Sequence, residues 1–299
     1  MHAGPSATLE RNRTVLWLTL SAVLWLAGCG GSGGTGPSPV SNEYRYTTVG
    51  ASDAIGVGAS VPCFPFTACP DGTGYVQTIA RRLRTDTISV KLTNLGLPAA
   101  VLGPGFQKIG ATYGREIPGN FLEQELPFVP RDSTHVTIFA GGNDTNTLVA
   151  AVGAGAGGGD PMEWVDARIQ EFANDYLTLV KGIRERAPNA TIVVANLPNF
   201  AGMPFMAAHS ADRRQLAQYI SVNFTIEGIN KLANQGIPVV DMLCNPMSYD
   251  PSTYSSDGFH PGDAGYAYLA GEMLQAFANP GGYRRPAASC SFMTLVPPL

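Results

Sequence analysis

Short apolar runs and longer amphipathic stretches alternate along most of the chain. Five runs carry strand patterns with β-branched or continuous apolar residues: Tyr44–Ala51, Ile88–Leu95, His135–Ala140, Thr191–Leu197 and Ile237–Leu243. The third run reads HVTIFA, and an uninterrupted apolar segment of this length is typical of a central parallel strand that is buried on both faces.

Helical spacing occupies the segments between these runs. The predicted helices are Gly74–Leu83, Glu163–Arg186, Asp212–Ala233 and Ala264–Ala278. Strands separated by helices imply parallel βαβ units. The pattern therefore predicts an α/β fold, a three-layer α/β/α doubly wound parallel sheet of about five strands.

Two stretches fit no element well. Residues 97–130 are rich in Gly and Pro, and residues 145–160 end in AVGAGAGGGD. The first is predicted to be a loop over the top edge of the sheet, and the second a flexible loop directly after Asn143. The second either shapes a substrate pocket or is a disordered surface loop.

The N-terminus has the pattern of an export signal. Arg11 and Arg13 precede an apolar run from Val15 to Ala27, which is short for a membrane-spanning helix and suits the core of a signal peptide. The following Leu-Ala-Gly-Cys resembles the bacterial lipobox, which implies cleavage after residue 28 and lipidation of Cys29. The alternative is an ordinary signal peptide with a chance cysteine.

The next segment, residues 30–42, reads GGSGGTGPSPVSN and predicts a flexible tether. The predicted organisation is a signal peptide at 1–28, a lipidated cysteine and tether at 29–42, and one folded domain at 43–299. We expect the bacterial cell envelope as its location, on the periplasmic side or on the outer-membrane or cell-surface side. The membrane would be a partner through the lipid anchor, and the protein would be a monomer.

Charge and cysteine content limit the classes of partner and cofactor that the chain is expected to bind. Without residues 1–28 the chain keeps 17 basic and 22 acidic residues, and no basic cluster predicts nucleic-acid binding. Four cysteines remain after the predicted lipidation site, which suggests two disulfides with three possible connectivities. We favour Cys63–Cys69 and Cys244–Cys290. Metal binding is a weaker alternative because no CxxC motif or histidine cluster is present, and we expect neither a metal nor a cofactor.

Candidate chemistry follows the ends of the predicted strands. Ser52 follows the first strand, Gly96 the second and Asn143 the third, while Asp257 precedes His260 by three residues near the C-terminus. Ligands of doubly wound sheets bind outside the carboxyl ends of the strands. A serine nucleophile requires a base, and the base a carboxylate. The order of these residues therefore suggests a serine hydrolase.

This ordered set resembles the SGNH (GDSL-type) hydrolases over most of the chain. The resemblance implies Ser52 as nucleophile, His260 as base and Asp257 as the group that orients it. It also implies an oxyanion hole made by the backbone N–H groups of Ser52 and Gly96 and the side chain of Asn143.

Two blocks depart from the family pattern. The first reads Gly-Ala-Ser-Asp rather than Gly-Asp-Ser-Leu, so that Asp53 follows the serine. The second lacks its usual second glycine and reads Gly96-Leu97-Pro98-Ala99.

The resemblance implies a serine esterase or lipase that hydrolyses small-molecule carboxylic esters through an acyl-enzyme, and the N-terminal segment predicts that it is exported and lipid-anchored. One alternative is a carbohydrate O-acetyl esterase with the same site and a glycan ester as substrate. Another is a catalytically silent surface lipoprotein that binds a glycan or a partner. An α/β-hydrolase elbow around Ser52 is disfavoured because position 54 is Ala instead of Gly.

Overall fold

The β-branched and apolar runs of the sequence pair as one parallel sheet. The computed structural model describes residues 42–64 and 69–299. Its strands are β1 (Glu43–Gly50), β2 (Ser89–Asn94), β3 (His135–Phe139), β4 (Thr191–Ala195) and β5 (Val239–Val240). Their order in the sheet is β2-β1-β3-β4-β5. The prediction of a parallel sheet of about five strands is confirmed.

Helices cover both faces of this sheet. They are α1 (Tyr75–Leu83), α2 (Pro104–Thr112), α3 (Phe121–Gln124), α4 (Gly142–Gly153), α5 (Pro161–Arg186), α6 (Ala211–Asn223) and α7 (Asp263–Ala278). One apolar cluster packs α1 and α7 against one face of the sheet. A larger cluster packs the helices from α2 through α6 against the opposite face. Burial of these two apolar layers stabilises the predicted three-layer arrangement.

Because of the strand register, the chain segments that follow the strands all begin at the same edge of the sheet. The last residues of four strands lie side by side in the ladder: Gly50, Phe139, Ala195 and Val240. Asn94, which ends β2, pairs with Thr48 of β1. The segments that begin after these residues therefore leave the sheet together, where a ligand site is expected.

The stretches predicted as loops contain helices, and this prediction was wrong. Residues 97–130 include α2 and α3, and residues 145–160 lie largely within α4 and its C-terminal turn. The first half of α4 reads GNDTNT and has little helical signal of its own. Tertiary packing overrides this low propensity, because Leu148 and Ala151 are fully buried in the core.

Two predicted elements end earlier than expected. The α-helix that was predicted to reach Ala233 ends at Asn223. The chain continues as a π turn, Phe224–Gly228, and then as a 3₁₀ segment, Ile229–Gln235. The fifth strand stops at Val240 because the next backbone N–H groups have a different acceptor. Those of Met242 and Leu243 donate to Asn196 Oδ1, at 2.7 and 3.0 Å.

Disulfides form between Cys63 and Cys69 and between Cys244 and Cys290, which confirms the favoured pairing. The second ties the C-terminal tail to the segment after β5. The predicted signal peptide, the lipidation site Cys29 and nearly all of the tether lie outside the described residues. Within the described ranges, no helix is long and apolar enough to cross a bilayer.

Candidate active site

Ser52 lies in the tight turn that follows β1. The turn is closed by backbone hydrogen bonds from Ala54 N–H to Ala51 O, at 3.1 Å, and from Val57 N–H to Ser52 O, at 3.0 Å. Ser52 is largely buried, with 7% of its surface exposed. Its Oγ lies 2.8 Å from His260 Nε2. This contact brings together residues that are 208 positions apart in the sequence.

Asp257 holds the opposite side of the His260 ring. Its Oδ2 lies 2.6 Å from His260 Nδ1. Its Oδ1 accepts from the backbone N–H groups of Phe259 and His260, at 2.8 and 2.9 Å, and from the Ser255 hydroxyl, at 2.8 Å. Burial opposes ionisation of this carboxyl group, but these hydrogen bonds outweigh burial and lower the pKa of Asp257 to about 2.

The ionised Asp257 fixes the tautomer of His260. A carboxylate can only accept hydrogen bonds, so Nδ1 of His260 carries the proton that faces it. Nε2 is then the lone-pair nitrogen of the neutral ring. The Ser52 hydroxyl therefore donates to His260 Nε2, which is the arrangement that a general base requires.

The His260 loop is held from several directions. Ser255 N–H donates to His260 O, at 2.9 Å, and Phe205 N–H donates to Gly258 O, at 3.1 Å. The Phe259 ring packs edge-to-face against Phe200 and Phe205. These contacts fix the ring of His260 before any substrate binds.

Asn143 and Gly96, both predicted as oxyanion donors, have different surroundings. Asn143 lies in the first turn of α4 and lines a cavity beside the site. Gly96 does not line that cavity, and its N–H donates to Asn94 Oδ1 at 2.9 Å. The Asn94 amide in turn donates to Ala54 O at 2.7 Å. The structure thus places Asn143 at the cavity wall, and Gly96 beneath the Ser52 turn.

Ala99 is a feature that sequence reasoning missed. Among the described residues it alone, apart from glycines, has a left-handed backbone, with φ of 62°. This conformation favours glycine, and Ala99 lies in the second block, Gly96-Leu97-Pro98-Ala99, which lacks its usual second glycine. The loop is closed by a hydrogen bond from Ala100 N–H to Leu97 O, at 3.1 Å. The absent glycine was the signal that marked this turn.

Asp53, directly after the serine, contributes a second carboxyl group to the site. Its side chain lines the cavity. Burial raises the pKa of Asp53, while the nearby His260 opposes that rise. The sequence showed Asp53 as a departure from the family pattern, but it did not place the carboxyl group near the histidine.

The cavity runs along the carboxyl edge of the sheet. Its wall includes the neighbours of Ser52 on both sides, Ala51 and Asp53, and those of His260, Phe259 and Pro261. Its volume is about 60 Å³. Most other lining side chains are apolar, among them Leu197, Phe200, Met203, Met242 and Met247. Across the described ranges, no cluster of His, Cys, Asp and Glu is suited to hold a metal ion.

Comparison with known proteins gives a consistent picture. The profile of the GDSL-like Lipase/Acylhydrolase family matches residues 49–268. No curated protein matches the sequence. Among solved structures, a lipase named Lip_vut3 from a goat rumen metagenome is similar, with 22% identity, a TM-score of 0.53 and coverage of 81% of this chain and 99% of that one.

An extracellular lipase from Streptomyces rimosus is also similar, with 17% identity and a TM-score of 0.54. The match covers 78% of this chain and 99% of that one. At these identities the two structures support the fold, and the family rests on the profile match.

Proposed function

The chain belongs to the GDSL-like lipase/acylhydrolase family, and from this we propose that Ser52, His260 and Asp257 form its catalytic triad. As a member of this family the protein is a serine hydrolase of ester bonds. The observation that carries the assignment is the continuous chain of short contacts from Ser52 Oγ through the His260 ring to Asp257 Oδ2.

The proposed reaction has two halves. Ser52 Oγ attacks the ester carbonyl carbon while His260 Nε2 takes the hydroxyl proton, and the imidazolium returns this proton to the departing alcohol. A water molecule then attacks the acyl-serine, again with His260 as base, and releases the carboxylic acid. Asp257 stays ionised throughout and stabilises the imidazolium.

The tetrahedral intermediate needs hydrogen-bond donors that are already in place. We assign the Ser52 N–H and the Asn143 side-chain amide to this role, since both belong to residues at the rim of the site. The Gly96 N–H is engaged with Asn94 Oδ1, so this donor contributes only after that bond breaks.

The apolar cavity next to Ser52 and His260 supports an apolar acyl group as the part of the substrate that is bound. Methionine side chains in the wall are adaptable and accommodate chains of different shape. The proposed substrates are therefore small-molecule carboxylic esters. The wall also carries one carboxyl group, that of Asp53, and the hydroxyl groups of Ser248, Thr253, Tyr254 and Tyr268. A glycan ester is therefore the second candidate substrate.

Export and anchoring form a separate part of the proposal. It is supported by the signal-like residues 1–28 and by Cys29, and the two disulfides suit an oxidising compartment. The test is expression in bacteria with labelled palmitate. The wild-type protein is expected to carry label in the membrane fraction, and Cys29→Ala is expected to lack it.

The enzymatic proposal is tested with purified full-length protein in detergent on p-nitrophenyl esters from acetate to palmitate. Ser52→Ala is expected to lose activity by a factor of about 10³ to 10⁶. The matched control is Ser252→Ala, an exposed serine, which is expected to keep it. Equal activity in Ser52→Ala would refute the triad. Release of acetate from acetylated xylan without cleavage of any nitrophenyl ester would favour the carbohydrate esterase.

A further inference from the structure

Arg115, in the loop after α2, donates hydrogen bonds to the first turns of α4. Its Nη2 donates to Asn143 Oδ1 at 2.8 Å. Its Nη1 donates to the backbone carbonyl of Asn143 and to the hydroxyl of Thr147. The guanidinium group is half-buried, and one of its three acceptors is the side chain that we assign to the oxyanion hole.

These contacts determine which way the Asn143 carboxamide faces. A guanidinium group has donors only, so the atom that faces it must be the carboxamide oxygen. The NH₂ group then lies on the opposite side, where one N–H donates to Ala100 O at 3.0 Å. Within the described part of the chain, the second N–H has no protein acceptor, and Asn143 lines the cavity.

The same contact strengthens that donor. A hydrogen bond from a cation to an amide oxygen draws electron density from the amide nitrogen, and its N–H groups become better donors. Water screens this effect little, because only 9% of the Asn143 surface is exposed. Burial lowers the pKa of the Arg115 guanidinium group, and the nearby carboxyl group of Asp144 opposes this shift.

We propose that Arg115 is a positioning residue, which sets the orientation and the donor strength of the Asn143 side chain toward the ester oxyanion. The inference rests on the proposed role of Asn143 in the oxyanion hole. Arg115 itself does not touch the substrate. Its contribution is realised in the transition state, where the negative charge on oxygen is largest.

The test is a double-mutant cycle in the full-length protein with p-nitrophenyl acetate. Arg115→Met is expected to lower kcat about tenfold or more, within the 10²–10³ loss that is usual for a missing oxyanion donor, with little change in KM. In the Asn143→Ala background the same substitution is expected to cause almost no further loss of kcat, because the carboxamide that Arg115 orients is absent.

Two further variants separate positioning from folding. Arg115→Lys keeps the charge but not the fork that reaches both oxygens of Asn143, and it is expected to restore part of kcat. The exposed Arg131, changed to Met, is the matched control and is expected to keep wild-type kcat. If Arg115→Met does not fold, Arg115→Lys carries the cycle.

The outcomes are distinguishable. An equal loss of kcat from Arg115→Met in both backgrounds overturns the inference, because Arg115 would then act through the fold. An Asn143→Ala variant with wild-type kcat overturns the proposed oxyanion role and this inference with it, while the triad test with Ser52→Ala stands independently. A loss that disappears in the Asn143→Ala background supports the inference.

Discussion

The backbone N–H of Gly50 donates to Oε2 of Glu125 across 2.9 Å, beneath the turn that carries Ser52. Glu125 is fully buried. The carbonyl of Gly50 accepts from Leu97 N–H at 3.0 Å, so the end of β1 is held on one side by a carboxyl group and on the other by the loop of the second block. Burial raises the pKa of Glu125 well above its usual value, and the hydrogen bond from Gly50 N–H opposes the rise.

Glu125 is expected to make stability fall as pH rises. An acid whose pKa is raised in the folded state stabilises the fold below its unfolded pKa, near 4.5, and this contribution is lost as pH rises through the folded pKa. Glu125→Gln keeps the acceptor and cannot ionise. The free energy of unfolding of Glu125→Gln relative to wild type should therefore increase from pH 5 to pH 8, as measured by urea unfolding.

Glu125→Ala separates the hydrogen bond from the charge. It leaves Gly50 N–H without an acceptor and should cost about 1–3 kcal/mol or more at pH 5. The exposed Glu116, changed to Gln, serves as the control and should show no pH-dependent difference from wild type. A Glu125→Gln variant whose relative stability stays constant between the two pH values would contradict a raised pKa.

Gly58 is expected to be indispensable for the alignment of His260. Its φ is +91°, and a Cβ at this position would lie 2.6 Å from Pro261 O and 2.8 Å from His260 Cβ. Gly58→Ala should therefore displace His260 from Ser52 and lower kcat. Gly236 is the matched control, because its φ is +74° and a Cβ added there would meet no atom within 4 Å.

Both alanine variants are destabilised by the left-handed backbone, by about 1–2 kcal/mol. Only Gly58→Ala should lose kcat on p-nitrophenyl acetate, while Gly236→Ala should lose stability alone. Similar kcat values for the two variants, each corrected for the folded fraction, would show that the His260 loop moves without consequence for the reaction.

The layered fold could be predicted from sequence because strand signals are strong where both faces are buried. His135–Phe139 and Thr191–Ala195 are apolar runs whose central residues are buried. α4 could not be predicted, because its Asn, Thr and Gly residues become helical only through packing of Leu148 and Ala151. The end of β5 depends on the Asn196 side chain, a contact that no local pattern encodes.

In the candidate site, too, some residues could be predicted from local sequence motifs and others depend on tertiary contacts. Ser52, Asn143, Asp257 and His260 were identified from short motifs, and their assigned roles remain predictions. Arg115 and Glu125 carried no motif, since their partners Asn143 and Gly50 are 28 and 75 residues away. Such contacts arise from tertiary structure, and a single sequence contains no spacing rule for them.

The two disulfides are expected to contribute unequally to stability. Cys244–Cys290 spans 46 residues and Cys63–Cys69 spans 6. On the loop-entropy account, removal of the first should cost about 4 kcal/mol and removal of the second about 2 kcal/mol. Urea unfolding of the two double Cys→Ser variants measures the difference. A larger loss for the shorter loop would indicate that local packing, and not chain entropy, dominates.

The last prediction concerns Asp257, whose side chain differs from that of Asp250 mainly in what it faces. Both accept hydrogen bonds from backbone N–H groups two residues ahead, at 2.8 and 2.9 Å, but only Asp257 also faces His260 Nδ1. In Asp257→Asn an amide replaces the carboxylate, and the imidazolium loses its counter-charge. The His260 ring can then carry its proton on Nε2. In this tautomer Nε2 no longer accepts a hydrogen bond from the Ser52 hydroxyl.

Asp257→Asn should therefore lower kcat by a factor of about 10² to 10⁴, whereas Asp250→Asn should leave kcat near the wild-type value. Because the pKa of Asp257 is about 2, its ionisation cannot cause a loss of wild-type activity between pH 5 and pH 8. Steady-state kinetics of both variants across that range measure this. A kcat of Asp257→Asn equal to that of Asp250→Asn would show that His260 needs no carboxylate, and would remove Asp257 from the proposed triad.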